Sequence, residues 1–253
     1  MPTVLVVGAT RGLGLELAKQ YTSTSKVYGT ARSSPPTSGP SNINWIEGID
    51  LMKEDCGTVL ASRLQDVKLD VVLVSAGVFT TESFDKPSWK DEVTMYTTSS
   101  IAPVFLVHHL VKAGNLRKGS KVLLLSSEAG SITLRHESEG GGNYAHHASK
   151  AALNMVGKLL SLDLKDKDIA VGLLHPGFMR TEMTKGVGFD KYWDDGGAVT
   201  PAVAAGSLIE FIETFDMSKT GTYWAPRGPG DIGTAEPTIG SKDKLPTPLQ
   251  LPW

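Results

Sequence analysis

Short apolar runs alternate along the chain with longer segments in which apolar residues recur every three or four positions. Runs that are apolar throughout are typical of parallel strands covered on both faces. They predict six strands, at residues 3–8, 26–31, 42–47, 70–77, 121–127 and 169–177. The intervening segments predict helices at 13–24, 54–66, 91–114, 145–165 and 198–214. Strand followed by helix, repeated, predicts an α/β fold with a doubly wound parallel sheet.

Two segments rich in proline and glycine show neither pattern. Residues 33–42, SSPPTSGPSN, are predicted to form a loop. From about residue 226 to the end, the same composition predicts an irregular C-terminal arm. We expect this arm to pack on the domain, because Trp253 and the nearby leucines would otherwise be exposed. The prediction is therefore a single domain over residues 1–253.

Composition and charge narrow the class of protein. The 253 residues, 40% of them hydrophobic, suffice for one large core. A formal net charge of -2 gives no basic field of the kind that nucleic acid or an anionic membrane requires, so neither is an expected partner. No signal peptide and no apolar run of ~20 residues is apparent. Because the single cysteine, Cys56, cannot form an internal disulfide, a cytoplasmic protein is expected.

A glycine-rich turn is the strongest chemical signal in the sequence. Residues 7–14, VGATRGLG, place three glycines between the first strand and the first helix. Glycines there let the backbone approach a pyrophosphate, whose charge is attracted by the free N–H groups and the positive end of the helix dipole. The turn predicts a Rossmann-like dinucleotide site. Its expected members are Gly8, Thr10, Arg11, Gly12, Leu13 and Gly14.

Five segments, in order, carry a resemblance to a known family. They are GATRGLG, VSAG, LLLSSEAGSI, HASKAALN and HPGFMRTEM. Together with the wide Gly-x-x-x-Gly-x-Gly spacing, they resemble the short-chain dehydrogenase/reductase family, C-factor-like branch, over residues 3 to about 225. The resemblance implies an oxidoreductase that acts on a small carbonyl compound or alcohol, for which a cyclic or aromatic metabolite is one candidate.

The end of the second strand indicates which cofactor is bound. NAD-binding enzymes place an acidic residue there, whereas the 2'-phosphate of NADP(H) needs cationic donors. This chain offers Arg32 at the strand end and Arg11 in the glycine turn, so NADP(H) is expected. The resemblance adds Asp50 beside the adenine and Thr181 at the nicotinamide carboxamide. It further adds to the cofactor site Leu51, Ala76, Gly77, Lys150, Pro176 and Gly177.

The catalytic residues depart from the pattern of the family. Its members add hydride to a carbonyl carbon while a tyrosine protonates the oxygen, assisted by a serine, a lysine and a water bound at an asparagine. The resemblance places Ser127 and Lys150 at the serine and lysine positions. It places His146 at the tyrosine position and Ser99 at the asparagine position. His146 and Lys150 share a helix face, whereas Tyr144 lies about 240° around the helix from Lys150.

The role of His146 has several alternatives. The charge of Lys150 should make the imidazole lose its proton more readily, which favours a base and suits redox-neutral chemistry as well as reduction. Tyr144 substitutes for His146 if the first helical turn is unwound, and a site in which neither transfers a proton is the third alternative. The sequence thus leaves open an NADP(H)-dependent oxidoreductase, a redox-neutral isomerase, dehydratase or cyclase, and a non-catalytic binder.

Three further expectations concern the surroundings of the site. Segment 185–197 carries Phe189, Tyr192 and Trp193, which predict an aromatic lid over the substrate. The apolar helices 91–114 and 145–165 resemble those that pair with a symmetry mate in the family, so a homodimer or homotetramer is expected. His175 is predicted to be structural, and no histidine and carboxylate spacing predicts a metal site.

Overall fold

One sheet contains the eight strands found in residues 1–37 and 40–253, the part of the chain described by this computed structural model. The strands are β1 (Thr3–Val7), β2 (Lys26–Thr30), β3 (Ile43–Ile46), β4 (Leu69–Val74), β5 (Leu116–Leu125), β6 (Ala170–Leu174), β7 (Thr222–Ala225) and β8 (Leu249–Gln250). Their order is β3-β2-β1-β4-β5-β6-β7-β8, and all pairs are parallel except β7 with β8. The chain direction across the sheet reverses between β1 and β4, where α/β proteins bind ligands.

Helices cover both faces of this sheet. They are α1 (Gly12–Tyr21), α2 (Cys56–Leu64), α3 (Trp89–Tyr96), α4 (Ala102–Lys112), α5 (Tyr144–Asp163), α6 (Glu182–Gly186), α7 (Pro201–Glu213) and α8 (Ala235–Ile239). One hydrophobic cluster joins one face of the sheet to α2, α4 and α5, and a second joins the other face to α1 and α7. The doubly wound parallel sheet is thereby confirmed. Among the described residues, no helix is both long and apolar enough to cross a bilayer.

The predicted helix 91–114 is interrupted by a π-helical turn, Thr97–Ile101, between α3 and α4. Pro103 explains the interruption, because it has no N–H to donate to the carbonyl of Ser99 and its ring clashes with that carbonyl. The bonding shifts to wider spacing, as in the bond from the Ala102 N–H to the Thr97 carbonyl. Ser99, at the family's asparagine position, is buried within this turn. Such turns inside helices are frequent at functional sites.

The C-terminal arm contains regular structure, and the prediction that it would be irregular was wrong. It forms α8 and then β8, which pairs antiparallel with β7. Backbone pairing at the open edge of the sheet thus overrides the local proline and glycine content. The expected packing is confirmed: Leu249 and Leu251 are buried, and the Trp253 ring stacks on Tyr223 with the centroids 5.9 Å apart.

The predicted loop 33–42 falls partly outside the described residues. Ser38 and Gly39 lie outside the described residues, and the other residues of this segment form neither helix nor strand. The segment connects β2, at one side of the ligand crevice, to the outermost parallel strand β3.

Apolar stripes are exposed on α4 and α5. Met155, Leu159 and Leu162 of α5 are 60%, 52% and 58% exposed, and Val104 and Phe105 of α4 are 38% and 39% exposed. The spacing of three or four residues places the three α5 side chains on one helix face, and the α4 pair consists of adjacent residues. Contiguous apolar surface of this kind marks an interaction site.

We expect these two stripes to pair with those of a second copy, so light scattering should give a mass above the 27.0 kDa of one chain. Leu159→Glu would bury a charge in that contact and should yield the single chain. Ser62→Glu adds the same charge to the exposed face of α2 and serves as the control. A wild-type protein that stays at 27.0 kDa at micromolar concentration would contradict this expectation.

Candidate active site

A cavity of about 1210 Å³ runs along the carboxyl ends of β1, β2, β4, β5 and β6. It lies at the point where the strand order reverses. Because parallel strands end at the same edge of the sheet, segments distant in sequence meet here. Most residues that the sequence predicts for the site line this cavity. They are Gly8, Thr10, Arg11, Gly12, Leu13, Gly14, Arg32, Asp50, Leu51, Ala76, Gly77, Ser127, His146, Lys150, Pro176, Gly177 and Thr181.

The glycine turn leaves the start of α1 open to the cavity. Gly8 has φ +85°, and a Cβ there would lie 2.6 Å from the Cα of Ala76. A Cβ on Gly14 would lie 2.1 Å from the carbonyl oxygen of Gly8. Only glycine therefore lets the turn pack this closely on the end of β4. The N-cap residue Arg11 makes no side-chain hydrogen bond to the helix, so the first N–H groups of α1 can bind an anion.

Two arginines lie at this end of the cavity. Arg11 and Arg32 are exposed, and neither forms an ion pair with a carboxylate in the described part of the chain. Asp50 lines the same cavity, and its Oδ1 accepts the Met52 N–H at 3.1 Å. The two guanidinium groups are consequently available to a ligand, which fits a phosphate group better than the hydroxyl that an acidic residue would bind.

Ser127 and Lys150 lie at the other end of the cavity. Ser127 follows β5, and its Oγ accepts the Ala129 N–H at 3.3 Å, so its own proton can be donated to a ligand. The Lys150 Nζ donates to the Leu125 carbonyl at 2.7 Å, and burial lowers the pKa of Lys150 to about 8. The amine is thereby fixed beside the end of β5.

Close packing between α5 and the turn after β5 sets this geometry. A Cβ on Gly130 would lie 2.9 Å from the Cβ of Lys150, so the turn rests directly on the helix. Asn154, one helical turn beyond Lys150, is buried between the two. Its Oδ1 accepts the Ser126 hydroxyl at 2.6 Å, and its Nδ2 donates to the Gly130 carbonyl at 3.1 Å.

His146 lines the cavity and Tyr144 does not. Helix α5 begins at Tyr144, so the first turn is helical, and Tyr144 is 39% exposed. The His146 ring packs on Phe79 with the centroids 4.4 Å apart, and its Nδ1 is buried without a hydrogen-bond partner among the described residues. Burial, followed by the positive charge of Lys150, lowers the pKa of His146 to about 3. The imidazole is therefore neutral at pH 7.

Aromatic side chains continue from His146 along one side of the cavity. Phe189 lies edge-on to Phe79 with the centroids 5.5 Å apart, and Tyr192 lies 6.0 Å from Phe189. Both belong to the predicted lid and line the cavity. Trp193, the third predicted lid residue, instead donates from Nε1 to the Thr184 hydroxyl of α6 at 3.2 Å. It holds the lid segment in place.

His175 supports the reactive end from behind. Its Nδ1 accepts the Glu128 N–H at 3.0 Å, so its Nε2 carries the proton and donates it to the Asp231 carbonyl at 3.2 Å. Burial lowers the pKa of His175 and keeps it neutral. These two bonds agree with the structural role predicted from the sequence.

Sequence reasoning missed a group of ionisable side chains that line the same cavity. We call it the charged wall; its members are Glu128, Arg135, Glu139, His147 and Lys242. Arg135 pairs with Glu139 at 2.8 Å, and the Nδ1 of His147 donates to the Asn143 carbonyl at 2.9 Å. One sequence signal was available, since Glu128 directly follows Ser127 at the end of a buried strand.

Comparison with known proteins identifies the family. A family model for short chain dehydrogenase matches residues 2–191. The chain belongs to the short-chain dehydrogenase family. The 1-hydroxy-2-glutathionyl-2-methyl-3-butene dehydrogenase of Rhodococcus sp. (strain AD45) is 30% identical over 229 residues, 88% of this chain and 96% of that protein. The C-signal protein of Myxococcus xanthus is 30% identical over 118 residues, 46% of this chain and 68% of that protein.

A solved structure shows the same fold. The NADPH-bound carbonyl reductase from chicken fatty liver superposes with a TM-score of 0.76 and 22% identity, covering 89% of this chain and 91% of that one. The family resemblance carried by the five sequence motifs is confirmed by these matches.

The buried state of His146 should make the fold sensitive to acid. Its pKa is about 3 in the folded protein and 6.5 as an ordinary histidine, so the unfolded chain binds more protons between these values. Stability should therefore fall as the pH falls from 6.5 towards 3. His146→Phe removes this group and retains a ring against Phe79, so its free energy of unfolding should decline less between about pH 7 and about pH 5.

Chemical denaturation at the two pH values measures this difference. His136→Phe, outside the cavity, is the matched control for replacing a histidine with phenylalanine. If wild type and His146→Phe lose equal stability on acidification, His146 is not held neutral by burial.

Proposed function

We propose that the protein is an NADP(H)-dependent oxidoreductase that interconverts a small carbonyl compound and the corresponding alcohol. Membership of the short-chain dehydrogenase family supports the reaction class. The observation that carries the cofactor choice is the pair of arginines Arg11 and Arg32 beside the open start of α1, which have no carboxylate partner among the residues that the structure describes. The chicken carbonyl reductase of the same fold is NADPH-bound, which agrees with this choice.

The lining of the cavity suits this cofactor along its length. In this proposal Gly8, Gly12 and Gly14 accommodate the pyrophosphate, while Arg11 and Arg32 bind the 2'-phosphate. The adenine lies near Asp50 and Leu51, and the nicotinamide lies near Lys150, Gly177 and Thr181. Ala76, Gly77 and Pro176 complete the walls, and Thr10 and Leu13 belong to the glycine turn. The cofactor supplies or accepts hydride at the carbon of the substrate.

NADPH should bind at least about tenfold more tightly than NADH. Each charge-assisted hydrogen bond from an arginine to the phosphate contributes roughly 1.5 to 3 kcal/mol, and about 1.4 kcal/mol is a factor of ten. Titration calorimetry with wild type and Arg32→Ala measures the preference. Arg32→Ala should weaken NADPH binding and leave NADH binding nearly unchanged.

Arg63→Ala is the matched control, since Arg63 is exposed on α2 and does not line the cavity. Equal affinities for the two cofactors, unchanged by Arg32→Ala, would refute the proposed cofactor preference while leaving the fold assignment intact.

The reactive end of the cavity can stabilise negative charge on a carbonyl oxygen. Ser127 offers a hydroxyl proton, and the neutral His146 on the same cavity offers an imidazole N–H. An imidazole held below its usual pKa can polarise a carbonyl through that N–H, and fixed donors of this kind contribute strongly in a site without bulk water. Because the pKa of His146 is about 3, the ring has no extra proton to release at neutral pH. Lys150 adds positive charge and holds the sugar of the cofactor.

A redox-neutral enzyme is the second candidate. The observation that favours it is the residue set at the family's tyrosine and asparagine positions, His146 and Ser99, which lack the phenol and the amide that the family uses in reduction. A screen of carbonyl compounds that follows NADPH absorbance separates the two candidates. Consumption of NADPH supports the oxidoreductase, and conversion of a substrate without such consumption supports the redox-neutral enzyme.

His146→Ala should lower kcat/KM by at least about 10²-fold, the effect of removing one donor or acid/base group. Tyr144→Phe should have nearly the same activity as wild type, because Tyr144 does not line the cavity. Since His146 stays neutral well above its pKa of about 3, the loss in His146→Ala should be equal across the neutral range. If Tyr144→Phe abolishes turnover and His146→Ala is tolerated, the first turn of α5 must unwind in the working enzyme.

A further inference from the structure

Reduction of a carbonyl leaves its oxygen in need of a proton. His146, at the position of the family's tyrosine, is neutral and has none to release at neutral pH. Lys150 donates one N–H to the Leu125 carbonyl at 2.7 Å, and in the proposed function it also holds the sugar of the cofactor. The proton therefore needs a source other than His146, and the cavity lining offers a carboxyl group at the residue after Ser127.

Glu128 meets the positional requirement. It is the residue after Ser127, begins the 3₁₀ turn Glu128–Gly130 and lines the same cavity. Its backbone N–H is fixed by the Nδ1 of His175 at 3.0 Å. Its Oε2 accepts the Gly233 N–H of the C-terminal arm at 3.1 Å. The carboxyl group is therefore held between the end of β5 and the arm.

The second carboxyl oxygen of Glu128 is free for a substrate. Within residues 1–37 and 40–253, Oε1 forms no hydrogen bond with the protein, and it is not among the buried side-chain atoms that lack a partner. An oxygen that is neither bonded nor sealed from the cavity can reach a ligand there. Ser127, the preceding residue, lines the same cavity.

Several charged groups act on this carboxyl group. Arg135 and Lys242 favour its ionised form, as does the Gly233 N–H, whereas Glu139 opposes it. Burial is the largest effect and raises the pKa of Glu128 to about 7. Both protonation states are thus populated near neutral pH. The other titratable groups that interact with it are His147, Tyr223 and Asp231.

We propose that Glu128 is a catalytic residue of this site, which gives the substrate oxygen its proton during reduction and takes it back during oxidation. The inference rests on the proposed function. In reduction the carbonyl carbon gains hydride, the π pair of the C=O bond moves to oxygen, and that oxygen bonds to the proton as the O–H bond of Glu128 breaks. The resulting carboxylate regains a proton from solvent at the mouth of the cavity. In oxidation every step runs in reverse.

The first test is the pH dependence of wild type and Glu128→Gln in both directions. Reduction requires the protonated carboxyl group and should slow as the pH rises through about 7, whereas oxidation requires the carboxylate and should accelerate over the same range. Glutamine keeps an oxygen to accept the Gly233 N–H but cannot titrate. In Glu128→Gln, the rates of reduction and oxidation should therefore no longer change over this pH range, and both should fall by at least about 10²-fold.

Glu137→Gln, an exposed residue that does not line the cavity, is the matched control and should keep the wild-type profile. NADPH affinity and the thermal midpoint of Glu128→Gln should equal those of wild type, since its bond to the arm is retained. If Glu128→Gln keeps the wild-type pH dependence of both rates, the proposal is overturned and Glu128 only anchors the arm.

An infrared readout separates this proposal from the proposed function, because it needs no turnover. The carboxyl band of Glu128, identified by its absence in Glu128→Gln, is recorded with NADP⁺ and saturating cyclohexanone, a mixture without transferable hydride. A shift of the band on addition of the ketone supports contact between Glu128 and the carbonyl oxygen even if no substrate is reduced. An unshifted band overturns the assignment, whatever the outcome of the NADPH assays.

Discussion

The contact between α5 and the turn after β5 sets the positions of Ser127, His146 and Lys150 in the cavity. Gly130 permits it, because any side chain there would collide with Lys150. Asn154 bridges the two elements with buried hydrogen bonds, which are costly to break when the groups have no water to replace their partners. Ser127 and Glu128 extend from the turn, and His146 extends from the helix. A shift of either element would therefore move Ser127 and Glu128 relative to His146.

Burial at this contact determines which groups of the site carry a proton at neutral pH. Removal from water disfavours the charged form of any group, so it lowers the pKa of His146 and of Lys150 and raises that of Glu128. The same physical cause thus leaves the histidine without a proton to donate at neutral pH and leaves part of the glutamic acid protonated. Residue type alone suggests the opposite assignment, because an ordinary histidine titrates near neutrality and an ordinary carboxyl group well below it.

The sequence predicted those features that local pattern controls. Strands β1, β4, β6 and the second half of β5 are mostly apolar runs, so their existence followed from composition, and the shared edge of a parallel sheet then brought the predicted cofactor residues together. Pro103 sits in the predicted helix 91–114, but its effect on the Ser99 carbonyl was overlooked. Strand β8 and helix α8 were missed because tertiary pairing stabilises them. The ionisation of Glu128 depends on burial and on Gly233, 105 residues away, which no local pattern reports.

The C-terminal arm links the edge of the sheet to the chemistry. The match to the family model ends at residue 191, yet Gly233 and Lys242 from the arm lie on the cavity, and Asp231 holds the histidine behind Glu128. The pairing of β8 with β7 and the stacking of Trp253 on Tyr223 keep this arm in place. The family's common part therefore builds the end of the cavity suited to a dinucleotide. The far side of the reactive end also depends on residues beyond the range that the family model matches, because Gly233 and Lys242 line the cavity there.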